Sequence, residues 1–416
     1  MSRLFDRLDS LMPGLEDVYR DVHEHPELAF QEKRTAGVVA ALLEEQGWET
    51  ATGVGRTGVV GVLRNGEGPV VMLRADMDAL PVEERTGLPY ASTQTAVDDS
   101  GATVPVMHAC GHDVHVAALL GACALFAGDR ASWRGTLVAV FQPGEESGLG
   151  ARAMIDDGLF ERFPKPEVVL GQHVGPGPAG LVATCPGPVM GGTDNLRIRL
   201  FGRGGHGSKP ESAVDPVVMA AHLVLRLQTV VSRTVAAADP VVVTVGALHA
   251  GTTAATIPDE AELAVNIRTT SAAARDLALA TIERLVKAEA LAAGAPREPE
   301  IVPVCTLPNT VNDPAATERV AAAHRGHFGD GAVIPVGPNS ASEDFGLLAE
   351  AAGVPSVFWF FGGLDAEEYT KAFLAGRVAQ DVPQNHASTF APVVQPTLGT
   401  GVRALAAAAL AWLEPR

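Results

Sequence analysis

Val70-Val71-Met72-Leu73-Arg74-Ala75-Asp76, then HVAALLGACALFA from His115 to Ala127, then Gly135-Thr136-Leu137-Val138-Ala139-Val140-Phe141: this stretch reads as strand, helix, strand. The outer runs are short and almost continuously apolar, as strands buried on both faces are, and the middle run has the length and spacing of a helix. That order predicts an α/β fold with a mainly parallel sheet. Gly58-Val59-Val60-Gly61-Val62-Leu63 reads as a further buried strand. Polar groups follow the apolar runs: Asp76-Met77-Asp78, Glu145-Glu146, and Gln172-His173 after Val168-Val169-Leu170. Sites of open α/β sheets form at the carboxyl ends of their strands.

Outward from this core, residues Leu4 to Gln46 read as helices, with Gly47 at the stop. The texture changes near Cys185-Pro186-Gly187-Pro188. Asp194 to Phe201 (DNLRIRLF) alternates polar and apolar residues, as a half-exposed antiparallel strand does. Asp215–Val231 and Ala272–Ala292 read as helices, Val241–Leu248 and Ala261–Arg268 as strands, so a smaller α+β insert interrupts the sheet domain. From about Cys305 the first texture resumes, with a helix near Ala315–Phe328, a strand at Pro355–Phe360 and a closing helix over Thr397–Leu413. The expected organisation is residues 1–186 and 303–416 as a catalytic domain around an insert at 187–302.

A chain of 416 residues exceeds one typical hydrophobic core, and 47% hydrophobic with 19% charged residues suits globular packing. A formal charge of −18 argues against nucleic acid as a partner. The four cysteines, Cys110, Cys123, Cys185 and Cys305, include no C-x-x-C pair and do not resemble a disulfide framework. Charges in Met1-Ser2-Arg3-Leu4-Phe5-Asp6-Arg7 stand where a signal peptide needs an apolar run, and no stretch reaches the ~18 apolar residues of a membrane span. A reducing, cytoplasmic setting is the expectation, without membrane contact.

Five segments carry groups suited to chemistry. In His108-x-Cys110-x-His112-Asp113-x-His115 a thiol and imidazoles offer the ligands of zinc or a neighbouring transition metal, and Asp113 is the local acid that could orient an imidazole. Pro143-Gly144-Glu145-Glu146 ends an apolar run with two carboxylates, one able to bind metal while the other handles protons. Gly171-Gln172-His173-Val174 and Pro383-Gln384-Asn385-His386-Ala387 each present a histidine in a loop. Gly202-Arg203-Gly204-Gly205-His206-Gly207-Ser208 sets a histidine between glycines, where it could donate to a developing oxyanion. Taken alone, the Cys110, Glu145-Glu146, His173 and His386 segments are more often inert turns or satisfied histidines and the His206 loop is evenly balanced, and Cys110 by itself could be a nucleophile.

Taken in order, eight segments resemble the amidohydrolase branch of the aminoacylase and carboxypeptidase-like metallopeptidases, the branch of hippurate hydrolases, indole-acetyl-amino-acid hydrolases and N-acetyl-diaminopimelate deacetylases. They are His23–Leu28, Arg74–Pro81, the Cys110 segment, Gln142–Glu146, Gln172-His173, Gly205–Ser208, Ser342–Phe345 and Asn385-His386. The resemblance implies a parallel-sheet catalytic domain and a smaller lid that commonly dimerises. It implies two divalent transition-metal ions (zinc, manganese, cobalt or nickel) held by Cys110, His112, Glu146, His173 and His386, with Cys110 bridging. Glu145 matches the general base, His206 the lid histidine that stabilises the tetrahedral intermediate, and Asp78 a supporting acid. Asp76 and Cys110 stand where related metallopeptidases carry a histidine ligand and a bridging aspartate.

The implied reaction is cleavage of an N-acyl amino acid or short peptide to a carboxylic acid and a free amine, by a metal-bridging hydroxide that Glu145 generates. A dipeptidase or carboxypeptidase on the same metal site is the alternative within the family. A thiol hydrolase and a metal-dependent binding protein are the alternatives outside it. One departure stands out: in Gly251–Asp259, Ala255 occupies the place of an asparagine that usually helps hold the substrate, leaving Arg268 as an anion partner to consider.

Overall fold

The computed structural model describes residues 3–413. Met1 and Ser2, part of the charged amino-terminal stretch, lie outside the described residues. Val70–Asp76, His112–Gly128 and Gly135–Gln142 form strand, helix and strand, and the two strands pair in parallel with Val70 opposite Thr136. Val168–Pro178 joins the free side of Val70–Asp76, also in parallel, and Ser356–Leu364 lies parallel beyond it. These four strands are the middle of an eight-stranded sheet ordered Glu49–Val54, Gly58–Asn65, Gly135–Gln142, Val70–Asp76, Val168–Pro178, Ser356–Leu364, Val182–Thr184 and Val333–Pro335. Burial on both faces accounts for their apolar runs.

The sheet's rim departs from the parallel pattern. Gly58–Asn65 runs antiparallel to both of its neighbours. Only Gly55-Arg56-Thr57 separates it from Glu49–Val54, and so short a link allows a hairpin but no crossover. The helix His112–Gly128 is apolar all round, as interior helices are. It packs against Leu8–Glu24 and Val394–Leu413 and buries Leu119, Leu120, Leu125 and Phe126 completely. Each such side chain is worth roughly 1.5–3 kcal/mol of burial. This core therefore fixes the amino-terminal end of the helix, where His112 sits.

The chain divides into two compact units: Met1–Val189 with Val311–Gly337 and Asp344–Arg416, and Met190–Thr310 with Pro338–Glu343. The second has a four-stranded antiparallel sheet in the order Val241–Ala250, Glu260–Thr269, Gly192–Phe201, Glu300–Leu307. Its helices Pro216–Thr229 and Ala272–Ala292 cover Ile198, Leu200, Leu263, Val265 and Ile267 with Met219, Leu223, Ile282 and Val286. Both helices start on a side-chain cap: Asp215 accepts from Val217 N and Ser271 from Ala274 N. Such a cap is typically worth ~1 kcal/mol. Among the described residues no helix is long and apolar enough to cross a membrane.

Candidate metal centre

Gly111 makes the first corner of the site. It takes φ +84°, and a Cβ there would lie 2.4 Å from Val174 Cγ1, so only glycine fits. This left-handed residue starts the helix His112–Gly128 and stands between Cys110 and His112, both of which join the same cluster. His173 comes from within Val168–Pro178, opposite Phe360, and not from a loop past the strand's end, because the pairing with Ser356–Leu364 carries the strand onward. Glu145 and Glu146 stand in the turn after Gly135–Gln142. His386 has a left-handed φ of +71°; its N–H donates to the Ala109 carbonyl at 2.8 Å, while Asn385 Nδ2 donates to the Cys110 and Val174 carbonyls at 3.2 Å each.

The first unit thus brings Cys110, His112, Glu145, Glu146, His173 and His386 together. Among these six, three sets of three have ligand atoms within 4.8 Å of one another: Cys110/His112/His173, Cys110/Glu146/His386 and His112/Glu145/Glu146, with Cys110 in the first two. Cys110 Sγ is 3.5 Å from His173 Nε2, and His386 Nε2 is 3.3 Å from Glu146 Oε1. His112 Nε2 stands 3.9 Å from an oxygen of Glu145 and from one of Glu146. Its buried Nε2 and the buried Glu146 Oε1 make no hydrogen bond. Nitrogen and sulfur ligands at zinc distances put tetrahedral neighbours about 3.3–3.6 Å apart, close to these separations. The donor set and its spacing fit divalent transition metals.

The hydrogen bonds behind the cluster aim it. His112 Nδ1 donates to the Asp78 carbonyl at 2.8 Å and His173 Nδ1 to the Val174 carbonyl at 2.7 Å, which leaves each Nε2 lone pair for the cluster. Asp113 does not orient these rings as its position suggested. Its Oδ2 pairs with His23 Nδ1 at 2.6 Å, and His23 Nε2 reaches Glu84 at 3.0 Å. The reason is direction: Asp113 turns toward the helix Leu8–Glu24, while a backbone carbonyl serves His112. His115 is likewise spoken for, since Nδ1 bonds Asp76 at 2.5 Å and Nε2 accepts from Val174 N at 2.8 Å. His108 is buried, burial lowers its pKa to about 4, and it joins none of the sets of three.

Electrostatics asks for cations at this place. Burial opposes charge on His112, yet Asp76, Asp78 and Cys110 hold its pKa well above the ordinary value. The Cys110 thiol and the Glu146 carboxylate beside it raise His386 to about 10. Burial works against the charge of Glu146, but His386 and His112 more than offset it and keep the carboxyl below its usual range. Burial and the neighbouring His115 hold His173 low, and burial pushes the Cys110 thiol up. Protons on two histidines meet a demand for positive charge that bound metal would meet instead.

A second buried network underlies the sheet end. Arg74 Nη1 donates to Asp76 at 2.5 Å, Nε to Gln142 at 2.9 Å and Nη2 to Asp344 at 3.1 Å. Asp76 in turn holds His115, so a buried arginine supports the histidine layer beside the ligands. His206 lies in the second unit, exposed on the two-residue strand Gly205–His206. Its Nδ1 accepts from Ser208 N at 3.1 Å, which places the proton of a neutral ring on Nε2. Arg268, also in the second unit, donates to Ser342 Oγ at 2.7 Å and to Asn266 at 3.2 Å.

Residues 72–372 match the pattern of Peptidase family M20/M25/M40. The hippurate hydrolase of Campylobacter jejuni is 39% identical over 350 residues, 83% of this chain and 88% of its own. The N-acetylcysteine deacetylase of Bacillus subtilis is 35% identical over 387 residues, 91% of this chain and 96% of its own. The crystal structure of the Bacillus subtilis YXEP protein, described as a dinuclear metal-binding peptidase of the M20 family, superposes with a TM-score of 0.76 at 28% identity. It covers 97% of this chain and 98% of that one.

Proposed function

Because this chain belongs to Peptidase family M20/M25/M40 and is a hydrolase of amide bonds, we propose that it cleaves N-acyl amino acids to a carboxylic acid and a free amino acid at the Cys110 cluster. Similarity to a hippurate hydrolase and an N-acetylcysteine deacetylase over most of their lengths supports this substrate class. The observation that carries the assignment of the site is the membership of Cys110 in two ligand sets at once, with Glu145 beside them. Cys110, His112 and His173 would hold one divalent cation; Cys110, Glu146 and His386 would hold the other. Zinc, manganese, cobalt and nickel all suit a set of thiolate, imidazole and carboxylate.

Such ions, when bound, acidify water and polarise a scissile carbonyl. The residues of the chain do the rest. Glu145, buried and 3.9 Å from His112 Nε2, takes the proton from the attacking water and returns it to the departing amine. His206, with its proton on Nε2, donates to the oxyanion. The second unit acts as a lid. Its edge strand Val241–Ala250, with Val242 and Leu248 exposed, supports a homodimer or higher oligomer, and the expected location is the cytoplasm.

A peptidase remains the alternative within the family. A panel of N-acetyl and N-benzoyl amino acids and dipeptides, run on protein of measured metal content, separates the two. Preference for the N-acyl compounds is expected, and hydrolysis confined to peptides would overturn the reading.

A further inference from the structure

Glu145 extends from a turn whose backbone is held on both sides. The Glu146 N–H, just after it, donates to Asp78 Oδ2 at 2.9 Å. The Gly144 N–H, just before it, donates to Glu32 Oε1 at 2.8 Å. Glu32 is fully buried, and the same oxygen accepts from Phe30 N at 2.9 Å while Oε2 accepts from Thr57 Oγ1 at 2.5 Å. One carboxylate therefore gathers three donors, from its own segment, from the hairpin at Thr57 and from the turn bearing the base.

Backbone strain collects at the same place. Among the described residues, Phe30 (φ 62°), Arg56 (φ 84°) and His386 (φ 71°) are the non-glycine residues with left-handed φ. Phe30 and Arg56 touch, the guanidinium lying 4.2 Å from the ring centroid. The Phe30 ring covers Gly144, which itself takes φ +59°; a Cβ on Gly144 would come within 2.7 Å of Phe30 Cζ. Left-handed non-glycine residues cost of order 1–3 kcal/mol each and persist only where surrounding contacts over-determine them. Here Phe30 packs on Gly144 and Arg56 packs on Phe30.

We propose that Glu32 is a positioning residue for the hydrolysis: it holds the Gly144 N–H, with the Phe30 ring packed over Gly144 and Arg56 stacked on that ring, and so fixes the backbone from which Glu145 reaches the attacking water. This rests on Glu145 being the general base. A flexible glutamate gains precision when its backbone is fixed, and a misplacement of about 1 Å can cost on the order of 100-fold in rate.

The test compares Glu32→Ala and Glu32→Gln in the metal-loaded enzyme, each with Glu145 intact and with Glu145→Gln. Glu32→Ala should lower kcat by on the order of 100-fold with KM and metal content unchanged. Glu32→Gln, which keeps one acceptor oxygen for Gly144, should recover most of the rate. With Glu145→Gln present, Glu32→Ala should cost nothing further, because the two act as one unit. Hydrogen exchange of the segment 142–148 gives a readout apart from turnover, and should quicken in Glu32→Ala and stay slow in Glu32→Gln. An unchanged kcat in Glu32→Ala, or an equal loss in both backgrounds, overturns the proposal. Should Glu32→Ala fail to fold, Glu32→Gln decides alone: faster exchange without loss of rate overturns it. A Glu145→Gln enzyme at full rate overturns the assignment of the base and the proposal with it, whereas an impaired Glu145→Gln beside an indifferent Glu32 sinks the proposal only.

Discussion

Two groups of buried histidines, which include His112 and His115 on one helix turn, do opposite things with their nitrogens. His23 and His115 spend both: His23 lies between Asp113 and Glu84, and His115 between Asp76 and the Val174 N–H. His112 and His173 spend Nδ1 on a backbone carbonyl and point Nε2 at Cys110, Glu145 and Glu146, at 3.5–3.9 Å. The first arrangement balances its own charge and is closed. The second is a set of acceptors that wants an external cation. The identity of the residue says less than the partner of its second nitrogen.

The comparison can be broken most sharply at the open cluster. Cys110→Ala should strip bound metal and lower turnover by more than the ~100-fold typical of losing an outer-shell partner, read by metal analysis and kinetics on one preparation. Glu145→Gln should lower kcat by about 10²–10⁴-fold while both ions stay, which metal content beside initial rates will check. At the closed cluster the loss should fall on stability instead. His23→Ala leaves Asp113 and Glu84 buried without their cation, so urea unfolding should reveal a deficit of about 3–5 kcal/mol.

The smallest effect concerns pH. Burial opposes the charge of His23, but Asp113 and Glu84 raise its pKa from 6.5 to about 10. A raised folded-state value means that its contribution to stability is complete below about pH 6.5 and drains away as pH climbs toward 10. Urea midpoints of metal-free protein should fall across that window more steeply for the wild type than for His23→Gln. Equal slopes would remove His23 from the account.

Much of this was legible in the residue order. The buried strands of the sheet centre announce themselves by apolar runs, and the second unit's strands by alternation around Ile198 and Leu200. The six side chains that cluster stood out through the order of eight family-like segments and not through any one of them, since His386, for example, sits in a polar loop with no local mark. What was not legible depends on backbone direction. Asp113 looked like the partner of His112 because it is adjacent, yet a carbonyl 34 residues away in sequence does that work. His173 was expected past a strand that in fact continues through it. Glu32 reaches Gly144 across 112 residues, and the left-handed φ of Phe30 and Arg56 leaves no mark on composition.

The shared position of Cys110 is most directly tested by metal stoichiometry and chelation on one sample. The expectation is two divalent ions per chain, amide hydrolysis that a chelator abolishes and added metal restores, and only partial metal retention in Cys110→Ser. Full hydrolysis by metal-free protein, lost on alkylation of Cys110, would contradict it and make the thiol a nucleophile.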